Sequence, residues 1–198
     1  MLRRTGADTK REVLTAATRL FSDYGYRGTS LADIAHEIGY SKASVLYHFS
    51  SKEALLAELI APAAADLDAL MARVSGSPAA QARTAAVEGY IDLAVTYREA
   101  VAILQTECLL LQDPRFHAIG LLYERLVQVL ADDDPDPAAR IAAIMVIVGT
   151  AAACTERTDL PPEQLRPALV AVALRALGLP GALDPPRTPG LPASSTPS

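Results

Sequence analysis

Apolar residues recur at helical spacing along most of the chain, and short runs rich in Gly, Pro, Ser and Asp separate the periodic stretches. This pattern predicts nine helices and an all-α fold. The predicted helices run from Thr9 to about Tyr24, from Leu31 to the turn at Gly39, from Ser41 through Phe49, from Ser50 or Ser51 to about Val74, from Pro78 to about Tyr97, from near Arg98 to Gln112, from Asp113-Pro114 to about Ala131, from Pro137 to about Arg157, and from Pro162 to Leu177.

Helix 1 has an amphipathic pattern. Thr9 and Glu12 have the spacing of a capping box, and a glycine directly after Tyr24 marks the end of the helix. The apolar face, which includes Phe21 and Tyr24, is expected to form a three-helix core with helices 2 and 3, where Phe49 would join it.

Two short helices joined by a sharp turn follow helix 1. Ser30 and Asp33 form a capping-box-like pair at the start of helix 2. Gly39 stops this helix because glycine tolerates a left-handed backbone, and Ser41 can cap helix 3. The arrangement predicts a helix-turn-helix over residues 30–49, with helix 3 as its recognition helix.

Helix 4 begins beside further capping residues. Ser50 and Glu53 have capping-box spacing, and Lys52 falls in the first turn. A lysine is unfavourable beside the positive end of a helix dipole unless something negative lies there, and a DNA phosphate would suit it. The alternative is a solvated surface lysine. Pro62 should bend the helix.

Residues at a set of fixed spacings across the N-terminal third of the chain form a recognisable pattern. It comprises the run Phe21 to Gly25, Gly28-Thr29-Ser30, Ile34-Ala35, Gly39, Ser41-Lys42, Tyr47-His48-Phe49, Ser51-Lys52-Glu53 and Leu56. Over roughly residues 7–67 the chain thereby resembles the TetR-type one-component repressors. It departs from the family pattern at Leu46, where the first aromatic of a Tyr-aromatic-His-Phe run is usual.

The resemblance implies a domain organisation. Residues 7–67 would be the helix-turn-helix DNA-binding domain, joined by helix 4 to a helical effector-binding and dimerisation domain at residues 75–178. Helices 8 and 9, which are apolar around much of their girth, would pair with their symmetry mates in a homodimer. A buried monomeric core is the alternative. Residues 180–198, rich in Pro, Gly, Ser and Thr, are predicted to be disordered.

Two sets of site residues follow. A dimer would place two recognition helices on a palindromic double-stranded operator. The expected DNA-binding residues are Thr29, Ser30, Lys42, Ala43, Ser44, Tyr47, His48 and Lys52. Lys42 and Ser44 are suited to contact base edges, and Ala43 is suited to contact a thymine methyl group. The family positions that hold DNA phosphates correspond to Thr29, Tyr47, His48 and Lys52.

The expected effector is a small apolar or aromatic molecule. In the family the C-terminal helices hold an effector pocket, and the candidates here are Tyr90, Tyr97, Gln105, Thr106, Glu107, Cys108 and Tyr123, of which Tyr90, Tyr97, Glu107, Cys108 and Tyr123 are preferred. Glu107 could instead pair with Arg98, point to solvent or meet a cationic ligand, since an unpaired buried charge is costly.

The charge distribution agrees with a DNA-binding N-terminal part. The chain of 198 residues has a net charge of −5, but residues 1–52 hold eight Lys+Arg and five Asp+Glu, a net charge of +3. Residues 53–198 hold ten and eighteen, a net charge of −8. All three lysines lie in the first part, which is therefore the part suited to phosphate.

Other classes of protein find little support. The two cysteines and three histidines lack metal-ligand spacing, and no catalytic motif or phosphate-binding loop occurs, so we expect neither metal, cofactor nor enzyme activity. No apolar run approaches a membrane span and no signal peptide is recognised, which predicts a cytoplasmic protein.

The sequence therefore predicts a DNA-binding transcriptional repressor, which is released from its operator when the effector binds. The alternatives are an all-helical ligand- or partner-binding protein with a vestigial helix-turn-helix, and a transcriptional activator.

Overall fold

A computed structural model describes residues 6–106, 113–156 and 160–181, and all regular secondary structure in these ranges is helical. The predicted all-α fold is confirmed. The helices are α1 (Gly6–Gly28), α2 (Leu31–Glu37), α3 (Lys42–His48), α4 (Lys52–Val74), α5 (Ala79–Thr96), α6 (Arg98–Thr106), α7 (His117–Ala131), α8 (Pro137–Glu156) and α9 (Pro162–Ala176), with a short 3-10 helix at Pro114–Phe116. Most of the predicted tail and the end of predicted helix 6 lie outside the described residues.

Helices α1 to α3 and the first half of α4 enclose an N-terminal core. Phe21 and Phe49 are buried in it, as predicted. The prediction for Tyr24 was wrong, because this side chain is 68% exposed. Gly25 has φ +76° and breaks the helical path, so that Tyr26 turns inward instead and its ring packs edge-on against Phe21 at 5.2 Å.

The helix starts agree only in part with the predicted caps. The Ser30–Asp33 capping box at α2 is confirmed, with hydrogen bonds of 2.8 and 3.2 Å. Helix α1 is already formed at Gly6, so Thr9 lies inside it and the predicted capping box there was wrong.

The cap of α4 also differs from the prediction. Ser51, not Ser50, is the N-cap, and its hydroxyl oxygen accepts a 3.1 Å hydrogen bond from the amide of Ala54. Helix α4 then continues through Pro62 to Val74 as one element. It therefore spans both cores of the molecule.

A second, larger core lies among the later half of α4 and helices α5, α7, α8 and α9. Among the described helices, α8 alone has the length and apolar composition of a membrane span, with a mean hydropathy of 1.8. The prediction that no apolar run approaches that length was therefore wrong. Helix α8 packs against α5, α6, α7 and α9, with Ala143, Ile147 and Cys154 in the core. A helix in the core of a protein can have this length and apolar composition without crossing a membrane.

Candidate DNA interface and regulatory cavity

The outward face of α3 is small, polar and aromatic. Val45 is fully buried and fixes the helix on the N-terminal core, so that the positions around it face outward. Tyr47 is 86% exposed and Leu46 41% exposed. The remaining exposed positions of this face are Lys42 and Ala43. No ion pair among the described residues involves Lys42.

Hydrogen bonds at the two helix starts determine which hydroxyl groups stay available. The oxygen of Ser41 accepts a 3.1 Å bond from the amide of Ser44, and the two hydroxyls are 2.9 Å apart. Ser30 is exposed, and its oxygen accepts from the amide of Asp33. The hydroxyl proton of Ser30 can still be donated to an external acceptor.

His48 lies half-buried at the end of α3. Its ring meets that of Tyr47 edge-on, with centroids 5.2 Å apart. Both residues line a shallow depression with Thr9 of α1, and His48 lies beside Gly6. His48 is therefore placed near the first turns of α1.

Thr29 does not face the solvent. Its side chain is 3% exposed, and its hydroxyl lies 3.1 and 3.0 Å from the carbonyl oxygens of Leu20 and Gly25. The predicted phosphate contact by this hydroxyl is contradicted in this conformation, because the group is buried and bonded to the end of α1.

Lys52 has a structural role that we did not predict. Its ammonium group donates to the carbonyl oxygens of Tyr26 at 2.7 Å and Thr29 at 2.8 Å, and it lies 4.2 Å from the centroid of the Tyr26 ring. Tyr26 lies in the last turn of α1 and Thr29 directly follows the helix, at the end where the helix dipole is negative. The lysine therefore joins the start of α4 to the start of the helix-turn-helix.

The Lys52→Met variant should lower the free energy of unfolding by about 1–3 kcal/mol, because it removes two charge-assisted hydrogen bonds. Urea denaturation followed by circular dichroism measures this change. Lys10→Met is the matched control, since Lys10 forms an exposed pair with Glu58 and should contribute at most about 1 kcal/mol. Equal losses in both variants would contradict the structural role of Lys52.

An apolar cavity of about 680 Å³ lies among helices α4 to α8. Its polar groups are few and largely bonded within the protein: the Tyr90 hydroxyl donates to the Ile147 carbonyl at 3.0 Å, and the Gln105 amide donates to the Val148 carbonyl at 2.8 Å. Burial raises the pKa of Tyr90, so its phenol is neutral at physiological pH. The described lining residues are Ile60, Ala63, Ala64, Leu67, Tyr90, Leu93, Val101, Leu104, Gln105, Ile119, Tyr123, Leu126, Ile147, Val148, Ala151 and Ala152.

The cavity brings together only some of the predicted effector residues. Tyr90, Gln105 and Tyr123 line it. Tyr97 does not, because its hydroxyl donates to Asp66 at 2.7 Å and it borders a separate cavity of about 610 Å³. The structure therefore does not bring Tyr97 together with Tyr90 and Tyr123. Glu107 and Cys108 lie outside the described residues.

The aliphatic residues of the lining were missed because in a sequence they look like ordinary core. No group of His, Cys, Asp and Glu suited to a metal ion occurs in the part of the chain that the structure describes.

Residues 13–59, which include the helix-turn-helix, match the family described as "Bacterial regulatory proteins, tetR family". The N-terminal domain of this chain is therefore a TetR-family helix-turn-helix domain. The resemblance seen in the sequence is thereby confirmed.

Curated relatives are similar to this chain over a limited stretch. The HTH-type transcriptional regulator RutR of Escherichia coli K12 is 50% identical over 46 residues, which are 23% of this chain and 22% of RutR. The negative transcriptional regulator IcaR of the biofilm operon icaADBC in Staphylococcus aureus Newman is 46% identical over 46 residues, or 23% of this chain and 25% of IcaR. The chain thus matches about a quarter or less of the length of these curated relatives.

The fold of the chain as a whole is similar to that of solved structures. The ketosteroid transcriptional regulator KstR2 of Mycobacterium tuberculosis superposes with a TM-score of 0.71 at 21% identity, over 86% of this chain and 93% of KstR2. At this identity the similarity shows the fold, including the helical C-terminal part, and not the ligand.

The chain also has an apolar face on its last two helices, α8 and α9. On α8, Ile141, Met145 and Val148 are 56%, 68% and 48% exposed and follow one another at helical spacing. Val172 of α9 is 61% exposed. Contiguous exposed apolar residues of this kind are typical of a protein interface.

Proposed function

We propose that this chain is a sequence-specific DNA-binding transcriptional repressor, which a small apolar or aromatic effector releases from its operator. The observation that carries the proposal is the outward face of α3, where Lys42 and Tyr47 project from a recognition helix whose Val45 is fixed in the core. Similarity to IcaR, a negative transcriptional regulator, supports repression.

The proposed DNA contacts divide into two kinds. Lys42 and Ser44 approach base edges, while Ala43 and the exposed Leu46 suit thymine methyl groups. Phosphate contacts come from Ser30, Tyr47 and His48, and they fix the register of the helix without reading sequence. Lys52, whose ammonium group is bonded to carbonyls, acts by placing the motif and contributes to phosphate binding only through its charge.

The proposed active form is a homodimer, and its operator is a palindrome. One short recognition helix reads too few base pairs for useful specificity, whereas two related by a two-fold axis read two half-sites. The apolar face of α8 and α9 supplies the surface for the partner protomer.

The proposed effector is uncharged and occupies the cavity of about 680 Å³. None of the described lining residues carries a charge, and an ionised ligand would be desolvated there without a partner. The name of the structural neighbour KstR2, a ketosteroid regulator, is consistent with an apolar ligand.

We expect the neutral fluorescent probe N-phenyl-1-naphthylamine to bind in this cavity with a blue-shifted emission. Ala152→Phe, which places a ring in the cavity, should weaken binding by about threefold or more, because the ring occupies part of the volume and narrows the space left for the probe. Ala72→Phe, at an exposed position of α4, is the control. The assignment fails if both variants bind the probe as the wild type does in a fluorescence titration.

Footprinting of the purified protein on DNA flanking its own gene, at low and at physiological salt, tests the proposed function. A roughly palindromic protected site that persists at the higher salt supports a specific dimeric regulator. Binding that is diffuse and vanishes with salt reflects phosphate attraction alone, and a genome-wide selection would then have to recover a site. Failure of that selection would favour a vestigial helix-turn-helix. The position of the site relative to the promoter distinguishes repressor from activator.

A further inference from the structure

We propose that Arg115 and Phe116, which belong to the C-terminal part of the chain, are positioning residues for operator binding. They hold the helix-turn-helix in a fixed orientation relative to the apolar cavity. The proposal rests on the proposed function and adds the residues through which the two parts are coupled.

Phe116 is the apolar half of this connection. It ends the 3-10 helix before α7, yet its side chain is fully buried in the N-terminal core, in the same cluster as Ile60 of α4 and Ile103 of α6. A close-packed ring of this size transmits displacement, because the core around it has little free volume. Movement at the start of α7 therefore reaches the N-terminal core directly.

Arg115 is the polar half of the connection. Its Nη1 donates to the hydroxyl oxygen of Ser51 at 3.0 Å and lies 3.8 Å from Glu53. Asp113 holds the guanidinium by two bonds, from Nε at 2.9 Å and from Nη2 at 2.8 Å. Since Ser51 is the N-cap of α4, the guanidinium is fixed on the first turn of the helix that follows the recognition helix.

The contacts continue from α4 to the helix-turn-helix. The hydroxyl of Tyr26 donates to Glu53 at 3.2 Å. Lys52 donates to the carbonyls of Tyr26 and Thr29, and Ser30 directly after Thr29 caps α2. An unbroken series of hydrogen bonds and chain connections thus runs from Arg115 to the first residue of the motif.

The residues that follow Phe116 on α7 connect this series of contacts to the cavity. Ile119 lies three residues after Phe116, and Ile119 and Tyr123 both line the cavity from α7. Leu104 of α6 lines the same cavity, while Ile103 beside it packs in the N-terminal core. A ligand that displaces α6 or the start of α7 therefore moves residues on which the orientation of the DNA-binding domain depends.

The first test is made without DNA. Spin labels at Tyr24→Cys and Gln128→Cys, both exposed positions, report the distance between the N-terminal domain and α7 in a Cys108→Ser background diluted with unlabelled protein. We expect Arg115→Ala to broaden the distance distribution. Arg140→Ala should leave the distribution unchanged. Arg140 is about as exposed as Arg115, but its pair with Glu124 lies between α7 and α8. An unbroadened distribution in Arg115→Ala overturns the proposal whatever the protein binds.

The second test uses an operator that the wild-type protein protects. We expect Arg115→Ala to weaken operator binding about 5- to 20-fold and to lose discrimination against a half-site spacing lengthened by one base pair. Arg115→Lys should recover part of both, since it keeps the charge but not the paired geometry. Phe116→Leu, which keeps an apolar side chain, should show the same loss of spacing discrimination.

The outcomes separate the two proposals. If the wild type selects no site, the proposed function fails, and the label distances still decide the positioning role. If the wild type binds and Arg115→Ala binds equally with unchanged spacing discrimination, the positioning role is overturned and the proposed function stands.

Discussion

The double variant Lys42→Ala, Tyr47→Ala should bind the operator more weakly than the wild type, by about 1,000-fold or more. Each side chain contributes on the order of 1–3 kcal/mol where it contacts a base edge or a phosphate, and a dimer loses each contact twice. Both positions are exposed, so the thermal unfolding midpoint should hardly change. Fluorescence anisotropy with a labelled operator measures the loss, and repetition over a salt series should show a shallower salt dependence.

Tyr24→Ala is the matched control for this double variant. Tyr24 is a second exposed tyrosine of the same domain, at 68%, but it lies on α1 away from the recognition helix. Its removal should leave operator affinity within about twofold of the wild type. Equal operator affinity for the wild type and the double variant would exclude α3 as the recognition helix.

The Met145→Asp variant should be monomeric and should lose operator affinity by about 1,000-fold or more. Met145 is the most exposed member of the apolar face on α8, so a buried dimer contact there would desolvate the new carboxylate without a partner. Sedimentation equilibrium measures the oligomeric state, and anisotropy measures operator affinity. Circular dichroism should show a folded protein, because the position is exposed in a single protomer.

Ala72→Asp places the same charge at an exposed position of α4 and should leave the dimer intact. If Met145→Asp remains a dimer, the surface of α8 and α9 is not the interface. If the wild type is itself a monomer in solution, the homodimer is excluded.

Local signals in the sequence were sufficient for much of the N-terminal domain. The Ser30–Asp33 capping box and the buried Val45 depend on residues three or four apart, and such spacing is visible in one dimension. Tyr24 was misplaced for a local reason. Its spacing from Phe21 suits an uninterrupted helix, but the left-handed Gly25 rotates the following residue into the core.

Other features depend on elements that meet only after folding. Lys52 was interpreted from its own helix, whereas its partners are the carbonyls of Tyr26 and Thr29, more than twenty residues earlier. Tyr90 and Tyr97 stand seven residues apart near the end of one helix pattern, and only packing decides that the first faces the apolar cavity while the second meets Asp66.

The burial of Phe116 and Ile103 in the N-terminal core has a consequence for chimeric regulators. A fusion that joined residues 7–67 to another regulatory domain would leave two empty sites in that core. Loss of a buried phenylalanine alone costs about 3–5 kcal/mol, and domains of about 60 residues are only marginally stable. A transplantable DNA-binding module of this protein should therefore carry its own replacement for the two side chains, by redesign of the facing residues on α4.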